Sequence, residues 1–234
     1  MTWNFFDPNA DWGQRERNRP HRDQPGAVTF ITARLADSMP REVILRWERE
    51  QAKYLAKNRF GHCTVEAFLS DPAIDPAAKT KFRKLRNQLW QRSLDDCHGE
   101  CVLKTPINAK IVADTLLHFD ADRYDVDSLV VMPNHWHLLV QMRVGHLLGP
   151  QVESWQRFSA RRINQRIGKS GVFWQAEPFD HVVRGPNQFT YLRNYIAENP
   201  KKANLPDGQF LFWNREAGFV SERSKLSSIL SPRG

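Results

Sequence analysis

Two histidines one residue apart, His135 and His137, interrupt the most apolar stretch of the chain, MPNHWHLLV (132–140). In a β-strand residues two apart share a face, so both imidazoles point one way and Trp136 points the other. Two imidazoles on one face of a rigid strand make half of a divalent metal site. Pro133 and Asn134, just before them, suggest a bend that aims the pair. Further along, FTYLRNYIAENP (189–200) has helical spacing, with Phe189, Leu192 and Ile196 on one apolar stripe. Tyr195 and Asn199, four apart, are neighbours at its border, and Tyr191 lies further toward solvent. Pro200 disfavours helix at Asn199, so the helix is expected to end about there. A phenol titrates near 10, so it needs a cation or a base nearby before it attacks a phosphate. A strand-borne His pair, a helix-borne tyrosine and a nearby amide together fit metal-assisted nucleophilic attack on a phosphodiester.

These residues need a scaffold, and the chain is long enough to build one. Its 234 residues, 41% of them hydrophobic with eight Trp and fourteen Phe, suit one domain with extensions. No run approaches the roughly 18 apolar residues of a membrane span. The first twenty residues lack the apolar stretch of a signal peptide, and three cysteines fit a reducing compartment, so a cytoplasmic location is expected. Strands are expected at 27–35 and 124–142, a short one at 101–104, and extended chain at 173–183. Helices are expected after Pro40, after Asp75-Pro76, from Thr105-Pro106 to about His118, at 152–167, and from Gln188 to about Asn199. FLFW (210–213) has the composition to pack back onto the body. The strands are too few and too unevenly spaced for a doubly wound sheet. An α+β sandwich is expected instead, an antiparallel sheet with helices mainly on one face.

A net charge of +8 points to a polyanionic partner. Between Gln141 and Leu205 ten Lys or Arg face four acids and supply +6 of that charge. The helix at 152–167 carries Arg157, Arg161, Arg162 and Arg166, placed to hold phosphates, which gives salt-dependent affinity with little sequence readout. Arg184, Lys201 and Lys202 belong to the same basic half. Trp174 is a candidate for stacking an unpaired base. The basic face of the second helix, from Lys79 to Arg86, reads as a solvated surface.

MPNHWHLLV matches the His-hydrophobic-His signature of the HUH endonucleases, and YIAENPKKANL (195–205) resembles their single-tyrosine branch, the REP-associated tyrosine transposases. VTFITARL (28–35), ESWQRFSARRIN (153–164) and FWQAEPFDHVVR (173–184) are similar to that family too, in the same order. The resemblance implies a ferredoxin-like or RRM-like sandwich with the His pair on a central strand. It implies cleavage and joining of single-stranded DNA beside REP-like hairpins, leaving a 5′-phosphotyrosine and a free 3′-OH. By position, His135, His137 and Asn199 become ligands of Mg²⁺ or Mn²⁺ and Tyr195 the nucleophile; the helical spacing also favours Tyr195 over Tyr191. Asp180 and His181 match the pattern as supporting residues. The chain departs from the compact family in a basic arm at 1–26, an inserted helical segment at about 58–96 and a tail at 206–234, around a catalytic domain at 27–205. The arm's Arg15, Arg17, Arg19 and Arg22 are candidates for reaching DNA. A monomer is expected. Other readings of the same residues are a non-catalytic hairpin-binding module, or a replication initiator or relaxase.

Overall fold

A computed structural model describes residues 2–11, 13–16, 20–222 and 226. The chain divides into two compact units, one made of residues 1–36 with 101–234, the other of residues 37–100.

The first unit is built on a six-stranded antiparallel sheet. Its strands are β3 (Val28–Arg34), β4 (Tyr124–Val131), β5 (His135–Met142), β6 (Phe179–Val182), β7 (Leu211–Asn214) and β8 (Gly218–Val220), in the order β6-β3-β5-β4-β7-β8. A separate hairpin pairs β1 (Gly13–Glu16) with β2 (Pro20–Asp23). The Val-, Ile- and Leu-rich β3, β4 and β5 are buried on both faces, as expected for a sheet covered on both sides. On one face, Ile31, Ala33, Val126, Leu129, Trp136, Leu138 and Val140 pack against α4 (Pro106–Leu117) and α5 (Leu148–Ile167). On the other lies α6 (Pro186–Lys202), against β4 and β5.

Several expectations shift here. Residues 101–104 form no strand; Val102–Lys104 is a single 3₁₀ turn entered through Cys101 at φ 51°. The 124–142 stretch folds back on itself, with Met132 N–H donating to the His135 carbonyl at the turn. Helix α6 continues through Pro200 to Lys202. The missing proline N–H removes one bond near the helix end, and both Asn199 and Pro200 are buried there. Beyond residue 205, β7 and β8 extend the sheet, so the part of the tail holding FLFW belongs to the body of the unit. The start of the arm is also tied down. Val28 N–H donates to the Asn4 carbonyl and Phe6 N–H to the Val183 carbonyl, and Trp3 and Phe5 lie against Phe189 of α6. The side chains of Arg15, Arg17, Arg19 and Arg22 lie outside what the structure describes.

The second unit holds α1 (Arg41–Lys57), α2 (Val65–Ser70) and α3 (Pro76–Asp95). Its cores are Leu55, Phe68, Ile74 and Phe82, and Met39, Val43 and Leu94. It begins earlier than the expected insertion, because α1 packs with α3.

Candidate active site

Strand β5 lies between β3 and β4, so its side chains stand in the interior of the sheet. In register, His137 is opposite Thr32 of β3 and Val130 of β4, and His135 is opposite Arg34. Both imidazoles are fully buried, with ring centroids 4.8 Å apart. Burial pushes the His135 pKa down to about 3, with Arg34 adding to the effect, and holds His137 well below its ordinary value. Both rings are therefore neutral and available as ligands.

At His135 the neighbour fixes which nitrogen is free. His135 Nδ1 lies 2.7 Å from Asn134 Oδ1, an atom that can only accept, so Nδ1 carries the proton. His137 Nδ1 lies 2.7 Å from Thr32 Oγ1, which can accept in the same way. Both Nε2 atoms are buried without a hydrogen-bond partner. Ligating histidines are held in this manner, with one nitrogen anchored in the protein and the other left to the metal.

The third unpartnered atom lies on α6. Asn199 is 1% exposed and its Oδ1 makes no hydrogen bond. One turn earlier, the Tyr195 ring meets His137 edge-on with centroids 5.2 Å apart, and it also touches Phe30 at 6.0 Å. Tyr191 is 66% exposed, without such contact. Lys202 Nζ sits 5.5 Å from the Tyr195 ring centroid while pairing with Glu198 at 2.8 Å. The donor set therefore comprises two neutral imidazole nitrogens and an amide oxygen; among the described residues no group of three or more His, Cys, Asp or Glu forms a metal cluster. Such a set, with positions left for phosphate oxygens and water, fits a hard or borderline divalent cation.

An anchor absent from the sequence reading holds α6 in place. The register of β4 shifts between Val126 and Ser128. In that bulge the buried Asp127 carboxylate takes Arg193 Nε at 3.0 Å and the Ser128 hydroxyl at 2.9 Å. Arg193 lies two residues before Tyr195, so the ion pair fixes how α6 is turned against the sheet. Desolvation raises the Asp127 pKa, opposed by Arg193. Nothing in the local pattern of either segment marks the two residues as partners.

His181 of β6 stands opposite Phe30, on the face of the His pair. Gln188 Oε1 accepts from the Arg184 N–H at 2.7 Å, which turns its amide nitrogen toward His181 Nε2 at 3.0 Å. Nε2 therefore accepts. Burial lowers this ring's pKa to about 4, so it is neutral and its Nδ1 carries a proton with no acceptor.

The basic residues divide between the two faces. Arg184 precedes α6 and Lys201 and Lys202 end it, on the Tyr195 side, and all three are exposed. Arg157, Arg161, Arg162 and Arg166 are exposed too, but on α5, which packs across the sheet from the His pair. Trp155 and Ile163 bind α5 to the Trp136 face. Trp174 is not free to stack a base. It is 5% exposed, packed against Phe173 and Trp136, and donates from Nε1 to Ser159 Oγ at 3.0 Å.

Comparison with known proteins bears on this same stretch. Residues 103–199 match the family described as IS200-like transposase. No curated protein matches the chain. Among solved structures it is similar to a REP-associated tyrosine transposase bound to a REP hairpin. The two share 13% identity at a TM-score of 0.41, over 79% of this chain and 73% of that one. The family match takes in both imidazoles and the tyrosine and ends on Asn199. Over residues 103–199 the chain is similar to the IS200-like transposases.

Proposed function

We propose that the chain is a metal-dependent single-strand DNA endonuclease and strand-transferase, acting as a monomer in the cytoplasm on DNA beside REP-like hairpins. One observation carries the reading: His135 Nε2, His137 Nε2 and Asn199 Oδ1 are buried without partners, and the Tyr195 ring lies against His137. A buried polar atom left unpaired costs about 1–3 kcal/mol, so these three acceptor atoms call for a ligand. Mg²⁺ or Mn²⁺ held by these three atoms would polarise a phosphoryl oxygen and neutralise charge developing on it.

The remaining steps belong to the chain. Tyr195 Oη attacks the phosphorus, the phenol proton leaves to water, and the P–O3′ bond breaks. O3′ keeps the electron pair and takes up a proton, giving a free 3′-OH and a 5′-phosphotyrosine. Attack by a 3′-OH on that linkage reverses the step and restores the phenol, which joins strands without a further energy source. Asn134 and Thr32 hold the imidazoles in the tautomer that presents Nε2. Arg184, Lys201 and Lys202 are placed to hold phosphates on the Tyr195 side. Arg157, Arg161, Arg162 and Arg166 offer a second basic surface on the opposite side of the sheet.

The test uses single-stranded hairpin DNA, from the flanks of the gene, labelled at either end. With Mn²⁺ or Mg²⁺ the 3′-labelled fragment should become covalently bound to protein and the 5′-labelled fragment should be released with a 3′-OH; a chelator should suppress both. Tight hairpin binding with no cleavage in either metal would overturn the nuclease and leave a hairpin-binding module.

A further inference from the structure

Helix α3 of the second unit carries a surface used neither by its own core nor by the site on the sheet. Between Asp75 at its N-cap and Asp95 at its end there is no acid, yet it holds Lys79, Lys81, Arg83, Lys84, Arg86 and Arg92. Helix α1 of the same unit is built differently. Glu42, Glu48 and Glu50 interleave with its cations, Lys53 pairs with Glu50 at 2.7 Å, and Arg46 meets Asp96 at 3.3 Å.

On α3, Lys79 donates to the Asp71 carbonyl and Arg86 lies over the Trp47 ring at 5.2 Å. Lys81, Arg83, Lys84 and Arg92 are exposed and form no ion pair with the described residues. Their spacing sets like charges three and four residues apart, as at Lys81 and Lys84 or Lys79 and Arg83, which disfavours the free helix. A helix shaped only for solvation relieves such repulsion with interleaved acids, as α1 does.

At 100° per residue, these four cations and the amides of Asn87 and Gln88 fall on one arc of about 180°, with the buried Phe82 and Ser93 on the other side; the buried Leu94 interrupts the arc only in the last turn. All six are exposed. Cations and amides are the groups that contact phosphates. The arc has no aromatic ring on which an unpaired base could stack, the usual device for single strands. We propose that this face of α3 binds the sugar-phosphate backbone of double-stranded DNA, the paired stem that adjoins the cleaved single strand. The identity of that DNA rests on the function proposed above.

The test uses the full-length protein and two probes, a hairpin with its flanking single strand and the same strand without the stem. The Lys81→Glu/Lys84→Glu variant should bind the hairpin at least ~10-fold more weakly, with a salt slope smaller by about two (~0.9 per phosphate contact). Its affinity for the stemless strand, and adduct formation on it, should stay within about twofold of wild type, because the proposed contact is with the stem alone. Lys57→Glu/Arg59→Glu makes the same change of net charge elsewhere in the unit and should leave most of the hairpin affinity. Circular dichroism melting should find the α3 variant folded, and Lys84→Ala should give a smaller loss in the same direction. The proposal is overturned if the α3 variant binds the hairpin like wild type, if the control pair weakens binding equally, or if both probes lose affinity alike. Failure of the wild type to form an adduct would count against the nuclease alone, since stem binding is read separately.

Discussion

Along β5, Trp136, Leu138 and Val140 enter a face closed by α4 and α5, while His135 and His137 enter the face covered by α6. Both faces exclude water. In the first the buried tryptophans are paired: Trp155 Nε1 donates to Tyr124 Oη at 3.0 Å and Trp174 Nε1 to Ser159 Oγ. The second buries the Nε2 atoms of His135 and His137, Asn199 Oδ1 and His181 Nδ1 with nothing to bond. The same strand thus has one side packed for stability and the other carrying unsatisfied polar groups, a cost that a bound cation would relieve at the acceptor atoms.

Substitutions on the two faces should separate these roles. On the α6 face, His137→Ala or Asn199→Leu should lower adduct formation on the order of 10²–10³-fold or more, the scale seen when a charge-stabilising group is removed. For Asn199→Leu the metal-free melting temperature should hold or rise, because a buried orphan is replaced by an apolar group of similar size, whereas His137→Ala opens a cavity and should lower it without unfolding the protein. On the opposite face, Trp136→Ala should cost about 3–5 kcal/mol in denaturant unfolding while the folded fraction still binds Mn²⁺. If the histidine variant unfolds the protein and the tryptophan variant silences it, the division is wrong.

Arg193→Ala, which strands the buried Asp127 carboxylate, should cost about 3 kcal/mol and slow adduct formation at saturating DNA. Arg193→Lys should recover part of both. Acid should act on the histidine face specifically. The unfolded chain takes up protons at His135 and His181 below about 6.5, whereas the folded chain resists until about 3 and about 4. Stability present above pH 6.5 is therefore lost as pH falls toward 4, by up to about 1.4 kcal/mol per pH unit for each ring. His181→Gln should flatten that slope in a series of urea titrations. The smallest effect is expected from Arg162→Ala on α5. DNA affinity should fall about threefold, with a salt slope lower by about one and no change in metal binding.

Much of the site could be read from the sequence because its signals are local. Two residues of spacing fix the shared face of His135 and His137, and four fix the alignment of Tyr195 with Asn199. What stayed hidden depends on partners far along the chain. Thr32 meets His137 across 105 positions, and Asp127 meets Arg193 only once a bulge and a helix have docked. The face that Arg157 to Arg166 occupy could not be read from the sequence, because a helix after a hairpin can close on either face of a sheet. Trp174 looked available because an isolated tryptophan carries no mark of burial. The strands β7 and β8, four and three residues long, are too short for a periodic pattern, and the second unit begins at α1 because of packing among three helices.

The most direct test of the division is to map the covalent protein–DNA adduct by protease digestion and mass spectrometry. Tyr191 and Tyr195 stand one turn apart on α6, the first facing solvent and the second lying against His137. The phosphate should be found on Tyr195, and Tyr195→Phe should abolish the adduct while Tyr191→Phe leaves it intact. A phosphate on Tyr191, or an adduct that survives Tyr195→Phe, would contradict the assignment of the α6 face as the catalytic one.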